Sequence, residues 1–239
     1  MKKFFIIPIL LLVFFLFASY QSKKKDVLGK DLITHAYYGD LVAVKNDLEA
    51  GAPLFYEFYF NDPERDYYQV QFDALHAASS SGNEDLINFL IEQGLDIDYP
   101  TPQGWAPLFI AAREGHPEAA KLLVFRGAAM NQQTDKGATA LLMALTQKYP
   151  SEKEREELLI YMLKRGADPN LADAHGFQPI YYTAVMLNQD LTELLLEYGA
   201  VPDEKNTAKI EEFFHKNPSK KGRRITTLLQ KKAAVAKKN

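Results

Sequence analysis

The sequence has 239 residues, of which 47% are hydrophobic and 25% charged, and this composition excludes a disordered or low-complexity chain. The formal net charge of −3 conceals two blocks of opposite sign: residues 26–204 carry 12 Lys and Arg against 29 Asp and Glu, whereas residues 205–239 carry 11 against 2. Because there is no cysteine, disulfides, cysteine–zinc sites and thiol nucleophiles are excluded, and the redox state of the compartment stays open.

Residues 1–25 have the order of an export signal, because two lysines precede an apolar run over residues 4–18. The cleavage motif fits poorly, since bulky Leu16 stands three positions before the best cut, so a signal peptide and an uncleaved membrane anchor both stay open. As a helix the run would span only about 23 Å of a hydrocarbon core about 30 Å thick, and the three lysines that follow oppose translocation. We expect an exported protein that is periplasmic, secreted or anchored by this segment.

Residues 26–204 contain landmarks that recur every 33 positions. Gly127 follows Gly94 by 33 residues and Gly199 follows Gly166 by 33, while the step from Gly127 to Gly166 is 39, so one unit carries six additional residues. Apolar residues at three- and four-residue spacing before each glycine predict a helix that ends there. The prolines expected to open helices are Pro107, Pro117 and Pro179. Units this small cannot bury an apolar face alone, which predicts a stack.

Three segments within these units resemble ankyrin repeats, namely Ala74-Leu75-His76-Ala77-Ala78, Ala106-Pro107-Leu108 and Arg165-Gly166-Ala167-Asp168-Pro169-Asn170. The resemblance implies an all-α solenoid of helix pairs joined by β-turn fingers. The five repeats expected are 31–53, 72–98, 101–133, 134–171 and 173–203. The family's Thr-Pro-Leu-His start is never complete here, so we expect weaker local order where its threonine cap is missing.

Two insertions interrupt the repeats. The first, residues 54–71, is rich in aromatic residues on a finger that should be polar, and its candidate binding residues are Phe58, Tyr59, Tyr67 and Tyr68. Exposed rings need a cover, and we consider a partner first, folding back onto the first repeat second, and a membrane surface third. The second insertion, Lys148 to Glu156, is expected to lengthen the fourth helix pair.

Residues 205–239 predict a basic helical cap and tail, because apolar residues recur there at helical spacing and a repeat stack needs a covered end. The positive charge of this segment has two interpretations. In the first, the segment lies against its own array or is simply solvated. We favour this interpretation because runs of charged residues are usually solvated. Otherwise it contacts an anionic surface such as lipid or nucleic acid, and export argues against nucleic acid.

No catalytic or metal-binding motif stands out, since the five histidines form no helical pair with a glutamate and no glycine-rich phosphate loop is present. His35 and His76 are interpreted as hydrogen-bonded scaffold residues. Acidic and amide residues in the fingers, such as Asp98 and Asn170, are interpreted as turn supports. We therefore predict a protein without enzymatic activity, cofactor, metal or small-molecule substrate.

Binding through the fingers and first helices is what the resemblance implies. The candidate contact residues on that surface are Tyr37, Tyr38, Trp105, Arg113, Glu114 and Phe177. Aromatic residues and arginine dominate interface energetics, although Trp105 and Phe177 could equally pack finger against finger. We expect a protein-binding module whose partner is another protein, possibly a basic one because the array is acidic. The alternative is an inhibitor or immunity-type protein that blocks a basic enzyme.

Overall fold

The computed structural model describes residues 6–62 and 67–236, and within them the side chains of residues 18–58 and 71–231. The described residues form twelve α-helices and one β-hairpin, which confirms the all-α prediction. The chain divides into two compact units, residues 1–95 (unit 1) and 96–239 (unit 2).

Unit 1 contains two helix pairs separated by the hairpin. Its elements are α1 (Ile6–Tyr37), α2 (Leu41–Glu49), β1 (Phe58–Asp62), β2 (Tyr67–Phe72), α3 (Ala74–Ser81) and α4 (Glu84–Glu92). Helix α1 packs against α2 and α3, and its C-terminal part supplies the buried residues Leu32, Ile33 and Ala36. The apolar segment that the sequence set apart is continuous in α1 with the first helix of the first repeat. Among the described residues, no helix is long and apolar enough to cross a membrane.

The aromatic insertion forms the antiparallel β1–β2 hairpin, in which Phe58 pairs with Phe72 and Phe60 with Val70. Aromatic and β-branched side chains favour extended backbone, which explains strands where the repeat pattern predicts only a short finger. A bulge between Phe60 and Asp62 shifts the register near the turn. The strand β1 contacts α1 and β2 contacts α3, so the hairpin lies against the first helices of its unit.

Unit 2 contains three helix pairs and a terminal pair. Its elements are α5 (Pro107–Glu114), α6 (Pro117–Phe125), α7 (Ala140–Thr146), α8 (Glu152–Lys164), α9 (Pro179–Val185), α10 (Gln189–Glu197), α11 (Glu204–Lys216) and α12 (Lys220–Ala236). The first helices α5, α7, α9 and α11 contact one another in that order. All three predicted prolines open helices, which confirms those boundaries. The insertion at 148–156 makes α8 13 residues long, whereas α6 and α10 have 9, as predicted.

Helices α11 and α12 cover the end of the stack in unit 2. Helix α11 contacts α9, and α12 contacts α10 and α11. Their buried residues Ile210, Phe214, Ile225 and Leu229 recur at helical spacing, as the sequence predicted for a cap. The basic segment therefore does lie against its own array, through its apolar side chains.

The fingers of unit 2 are held by a row of side-chain to backbone hydrogen bonds, which we call the finger ladder. The Asp98 carboxylate accepts from the Ala129 amide at 2.8 Å. One unit later the Asn131 amide oxygen accepts from Asp168 N–H at 2.8 Å. The last bond of the row joins Asn170 Oδ1 to Val201 N–H at 2.7 Å. Within the turns themselves, Asp96 Oδ1 accepts from Asp98 N–H at 3.0 Å and Asp168 Oδ1 from Asn170 N–H at 2.8 Å, which confirms the interpretation of acidic residues here as turn supports.

Helix α3 has a complete capping box although the family's threonine is absent. Asp73 Oδ1 accepts from the backbone N–H groups of Leu75 and His76 at 2.9 and 3.0 Å, and lies 2.6 Å from His76 Nδ1. The expectation of weaker local order is wrong for this helix, because an aspartate caps as well as a threonine. By contrast, no side chain caps α5 or α9, where Ala106 and Gln178 stand at the cap position.

Candidate protein-binding surface

Tyr37 and Tyr38 stand exposed where α1 ends in unit 1. The helix stops at Tyr37 because Gly39 adopts a positive φ of 71° and Asp40 then caps α2 through the Ala43 amide. The two rings meet edge to face with centroids 5.7 Å apart, and they are 57% and 77% exposed. More than half of each side chain is therefore accessible to solvent.

The aromatic insertion is partly folded back onto its own repeat. The ring of Tyr56 lies against Gly29 of α1, where any β-carbon would overlap it, and its hydroxyl donates to Asp26 Oδ1 at 2.6 Å. Burial and the Asp26 carboxylate raise the pKa of Tyr56 to about 12. The pKa of Asp26 is lowered, first by Lys30 and then by Tyr56. The contacts of Tyr56 therefore agree with the possibility that the insertion folds back onto the first repeat.

Other residues of this insertion have different surroundings. Phe55 is 72% exposed, and Phe58 is half-buried. The side chains of Tyr59, Tyr67 and Tyr68 lie outside the described residues. Among the described side chains, Phe55 is therefore the part of the insertion available to a partner.

Trp105, Arg113 and Glu114 come together in unit 2. The Trp105 ring is only 8% exposed, stacks on Phe109 with centroids 5.9 Å apart, and has the Arg113 guanidinium 4.6 Å from its centre. Arg113 in turn lies 3.4 Å from the Glu114 carboxylate. The indole supports the arginine, and the accessible part of this cluster is the charged pair of Arg113 and Glu114.

Phe177 forms a second aromatic cluster in unit 2. Its ring stacks on Tyr181 with centroids 4.2 Å apart, and the Lys205 ammonium lies 5.3 Å from the Phe177 centroid. Tyr182, which donates a hydrogen bond to Asp173, meets the same rings edge to face. Burial and that hydrogen bond hold the pKa of Tyr182 above its usual range. Phe177 therefore packs against Tyr181 and Tyr182 of α9, with Lys205 of α11 at its ring.

Phe109, Tyr181 and Lys205 were not among the residues predicted from sequence. A signal for the first two exists, because Phe109 follows Trp105 by four positions and Tyr181 follows Phe177 by four. Such spacing at the start of a helix brings two rings together. Nothing in the sequence indicates that Lys205, 28 residues after Phe177, reaches the same ring.

The described residues contain no group of three His, Asp or Glu side chains that could hold a metal ion. Two histidines are instead joined to carboxylates. His35 Nδ1 lies 2.6 Å from Asp47 Oδ2 and links α1 to α2, and His76 is held in the capping box of α3. Both act as scaffold residues, as predicted.

Comparison with known proteins identifies a family and several relatives. The family profile described as ankyrin repeats (3 copies) matches residues 32–134 and 115–206. The "Ankyrin repeat, SAM and basic leucine zipper domain-containing protein 1" of Dasypus novemcinctus is 31% identical over 123 residues, 52% of this chain and 25% of that protein. Proteins of the same name from Neofelis nebulosa and Homo sapiens are 33% and 31% identical over 107 residues, 45% of this chain and 22% of each protein. The chain thus spans at most a quarter of the length of these relatives.

Proposed function

The chain belongs to the ankyrin-repeat family, and from that premise we propose that it is a non-enzymatic protein-binding module that works in the cell envelope or outside the cell. The observation that carries the proposal is the Tyr37–Tyr38 pair. Leu32 and Leu75 in the first helices of unit 1 are fully buried, whereas Tyr37 and Tyr38 are 57% and 77% exposed. Exposed aromatic area of this kind is costly unless a partner covers it.

The proposed location rests on residues 1–25, in which two lysines and an apolar run precede the repeats. A cleaved signal peptide, or an anchor retained with its N terminus in the cytosol, would deliver the repeats to the same side. Fractionation of cells that express the intact chain with a C-terminal epitope tests this proposal. A product confined to the cytosol, at full length, would contradict it.

A basic protein is the partner that the charge of the repeats favours. Residues 26–204 carry 12 basic against 29 acidic side chains, a net of −17, which would attract a cationic surface and repel an anionic one. A second candidate function follows from the same charge, namely an inhibitor or immunity-type protein that blocks a basic enzyme. Association that weakens steeply with added salt supports a basic partner, and only loss of the partner's catalytic activity in the complex supports inhibition.

The tyrosine pair is tested by chemical crosslinking of the full chain in an extract of its native source. We compare the wild type with a Tyr37→Ala/Tyr38→Ala variant, and use Phe125→Ala as a matched control because Phe125 of α6 is 67% exposed. If the pair is an interface anchor, the double variant should capture its partner at least roughly tenfold less well, and the control should capture it normally.

Circular dichroism must first show that all three proteins have the same helix content. Equal capture by the wild type and the tyrosine variant would contradict the proposed anchor. An Arg113→Ala/Glu114→Ala variant in the same experiment separates the charged pair of unit 2 from the tyrosines of unit 1. Loss of capture only in that variant would assign the binding surface to unit 2 and not to Tyr37 and Tyr38.

A further inference from the structure

Helix α12 presents two chemically different faces. Ile225 and Leu229 are buried, and the helix contacts α10 and α11. Five basic side chains of the helix are exposed, namely Lys220, Lys221, Arg223, Arg224 and Lys231, and we call these residues the basic face of α12. At 100° per residue, Lys220, Arg224 and Lys231 fall within about 40° of one another around the helix axis. They therefore form a line along the solvent side.

The basic face is not neutralised by the rest of unit 2. None of its five side chains forms an ion pair with a carboxylate in the part of the chain that the structure describes. Residues 220–236 include no Asp or Glu. The neighbouring helix α11 differs, because its Lys209 and Lys216 both pair with Glu212, at 2.8 and 2.7 Å. Ion pairs within the described residues therefore do not explain why α12 carries these basic side chains.

The charge of α12 is also opposite in sign to the charge of the repeats. Residues 26–204 have a net charge of −17 and residues 205–239 one of +9, so an anionic surface attracts α12 and repels the repeats. An extended anionic surface can contact several side chains of this line at once, so it would be attracted more strongly than a single small anion.

We propose that the basic face of α12 binds the surface of membranes that contain anionic phospholipids. The apolar face of the helix is already buried, so the contact is made at the level of the lipid headgroups by charge. Residues 220–236 have no aromatic side chain on which bases could stack, as sites for single-stranded nucleic acid require. This inference does not depend on the proposed protein-binding function, which uses other residues.

A cleft at the turn between α11 and α12 adds to the argument. It has a volume of about 390 Å³ and is lined by Phe214, Pro218, Ser219, Arg223, Thr226 and Thr227. An arginine beside hydroxyl and apolar groups fits the phosphate and glycerol parts of a phospholipid headgroup. The cleft and the basic face share Arg223, so a headgroup in the cleft would anchor the helix end.

Vesicle flotation with the full chain tests the proposal. The vesicles contain either phosphatidylcholine alone or phosphatidylcholine mixed with phosphatidylglycerol. In the variant Lys220→Gln/Arg224→Gln/Lys231→Gln, we expect binding to the anionic vesicles at low salt to weaken by roughly a hundredfold, about fivefold for each charge removed. The matched control Lys136→Gln/Lys148→Gln/Lys164→Gln removes the same charge from exposed positions elsewhere in unit 2 and should bind as the wild type does.

The apolar segment at residues 4–18 and the lysines on either side of it could also bind vesicles, and these lysines would favour the anionic ones. That contribution is the same for the two triple variants, so the comparison between them isolates the basic face of α12. The proposal is overturned if the wild type shows no preference for anionic vesicles, or if the two triple variants lose binding equally. It is also overturned if the wild type binds a DNA duplex and not the anionic vesicles, because the face would then serve nucleic acid. Circular dichroism confirms that each variant is folded.

Discussion

Asp73 is the residue on which the start of α3 depends. Its carboxylate satisfies two orphan backbone N–H groups of the first turn and is the neighbour of the fully buried His76 ring at 2.6 Å. We predict that Asp73→Ala lowers the free energy of unfolding by about 1–3 kcal/mol, because the helix loses its cap and the buried imidazole loses a partner. Urea denaturation followed by circular dichroism measures the change.

Asp73→Thr is the control for that prediction, because it introduces the residue that the ankyrin pattern has at this position. The threonine hydroxyl can cap the helix, so this variant should retain most of the stability that alanine loses. Equal destabilisation by alanine and threonine would show that the carboxylate acts through its charge and not as a helix cap.

Residue roles were predictable from sequence only where the partner is close along the chain. The prolines that open α5, α6 and α9 needed no tertiary information, because the first turn of a helix has no use for their missing N–H. Tyr56 is the opposite case, since its hydrogen-bond partner Asp26 lies 30 residues away and aromatic residues in a loop do not indicate what covers them. The burial of Trp105 depends likewise on how Arg113 folds over it.

At the scale of elements, α11 depends on a charge network along its solvent side. Glu212 accepts hydrogen bonds from Lys209 and Lys216, and these lower its pKa from 4.5 to about 2. A carboxyl group whose pKa is lowered by folding stabilises the folded state above its unfolded pKa and loses that effect as the pH falls. The stabilisation of the folded state by Glu212 is therefore lost as the pH falls from about 4.5 to about 2.

We predict a small stability difference between the wild type and Glu212→Gln at pH 6 that disappears by about pH 2. The wild type should be the more stable protein at the higher pH, since only the ionised carboxylate holds both lysines. Thermal unfolding of the two proteins across this range measures the effect, and Glu211→Gln is the control because the adjacent Glu211 is also exposed. A difference that persists unchanged to pH 2 would contradict the assignment.

Two elements of unit 1 were beyond the reach of the repeat pattern. The period of 33 locates helices that recur, whereas the β1–β2 hairpin occurs once, in an insertion that the pattern describes only as additional length. The unbroken helix α1 was missed for a related reason. The change from apolar to basic residues near position 20 suggests that the environment of the chain changes there. It does not interrupt the backbone hydrogen bonds of the helix, so α1 continues through this position.

For the whole molecule, the segregation of charge is the dominant electrostatic feature. The repeats have a net charge of −17 and repel themselves at low ionic strength, because their 29 acidic side chains outnumber their 12 basic ones. We predict that the unfolding temperature rises when sodium chloride is increased from about 10 mM to about 150 mM, as the Debye length shortens from about 30 to about 8 Å. Differential scanning calorimetry measures this directly.

Potassium chloride at the same ionic strengths should give the same increase if screening is the cause, because screening depends on ionic charge and concentration. A decrease in unfolding temperature would contradict the prediction. It would mean that attraction between basic and acidic residues outweighs repulsion among the acidic ones.

The finger ladder has a consequence for how this family of chains can change in length during evolution. The first and last of its three bonds span 31 residues, and the middle one spans 37 because the fourth repeat is longer, yet all three are between 2.7 and 2.8 Å. The additional residues extend α8 and the turn before it, while the fingers keep their spacing. Mutations that lengthen the helical side are therefore tolerated, and the row of finger tips stays constant as a template on which new binding specificities can be selected.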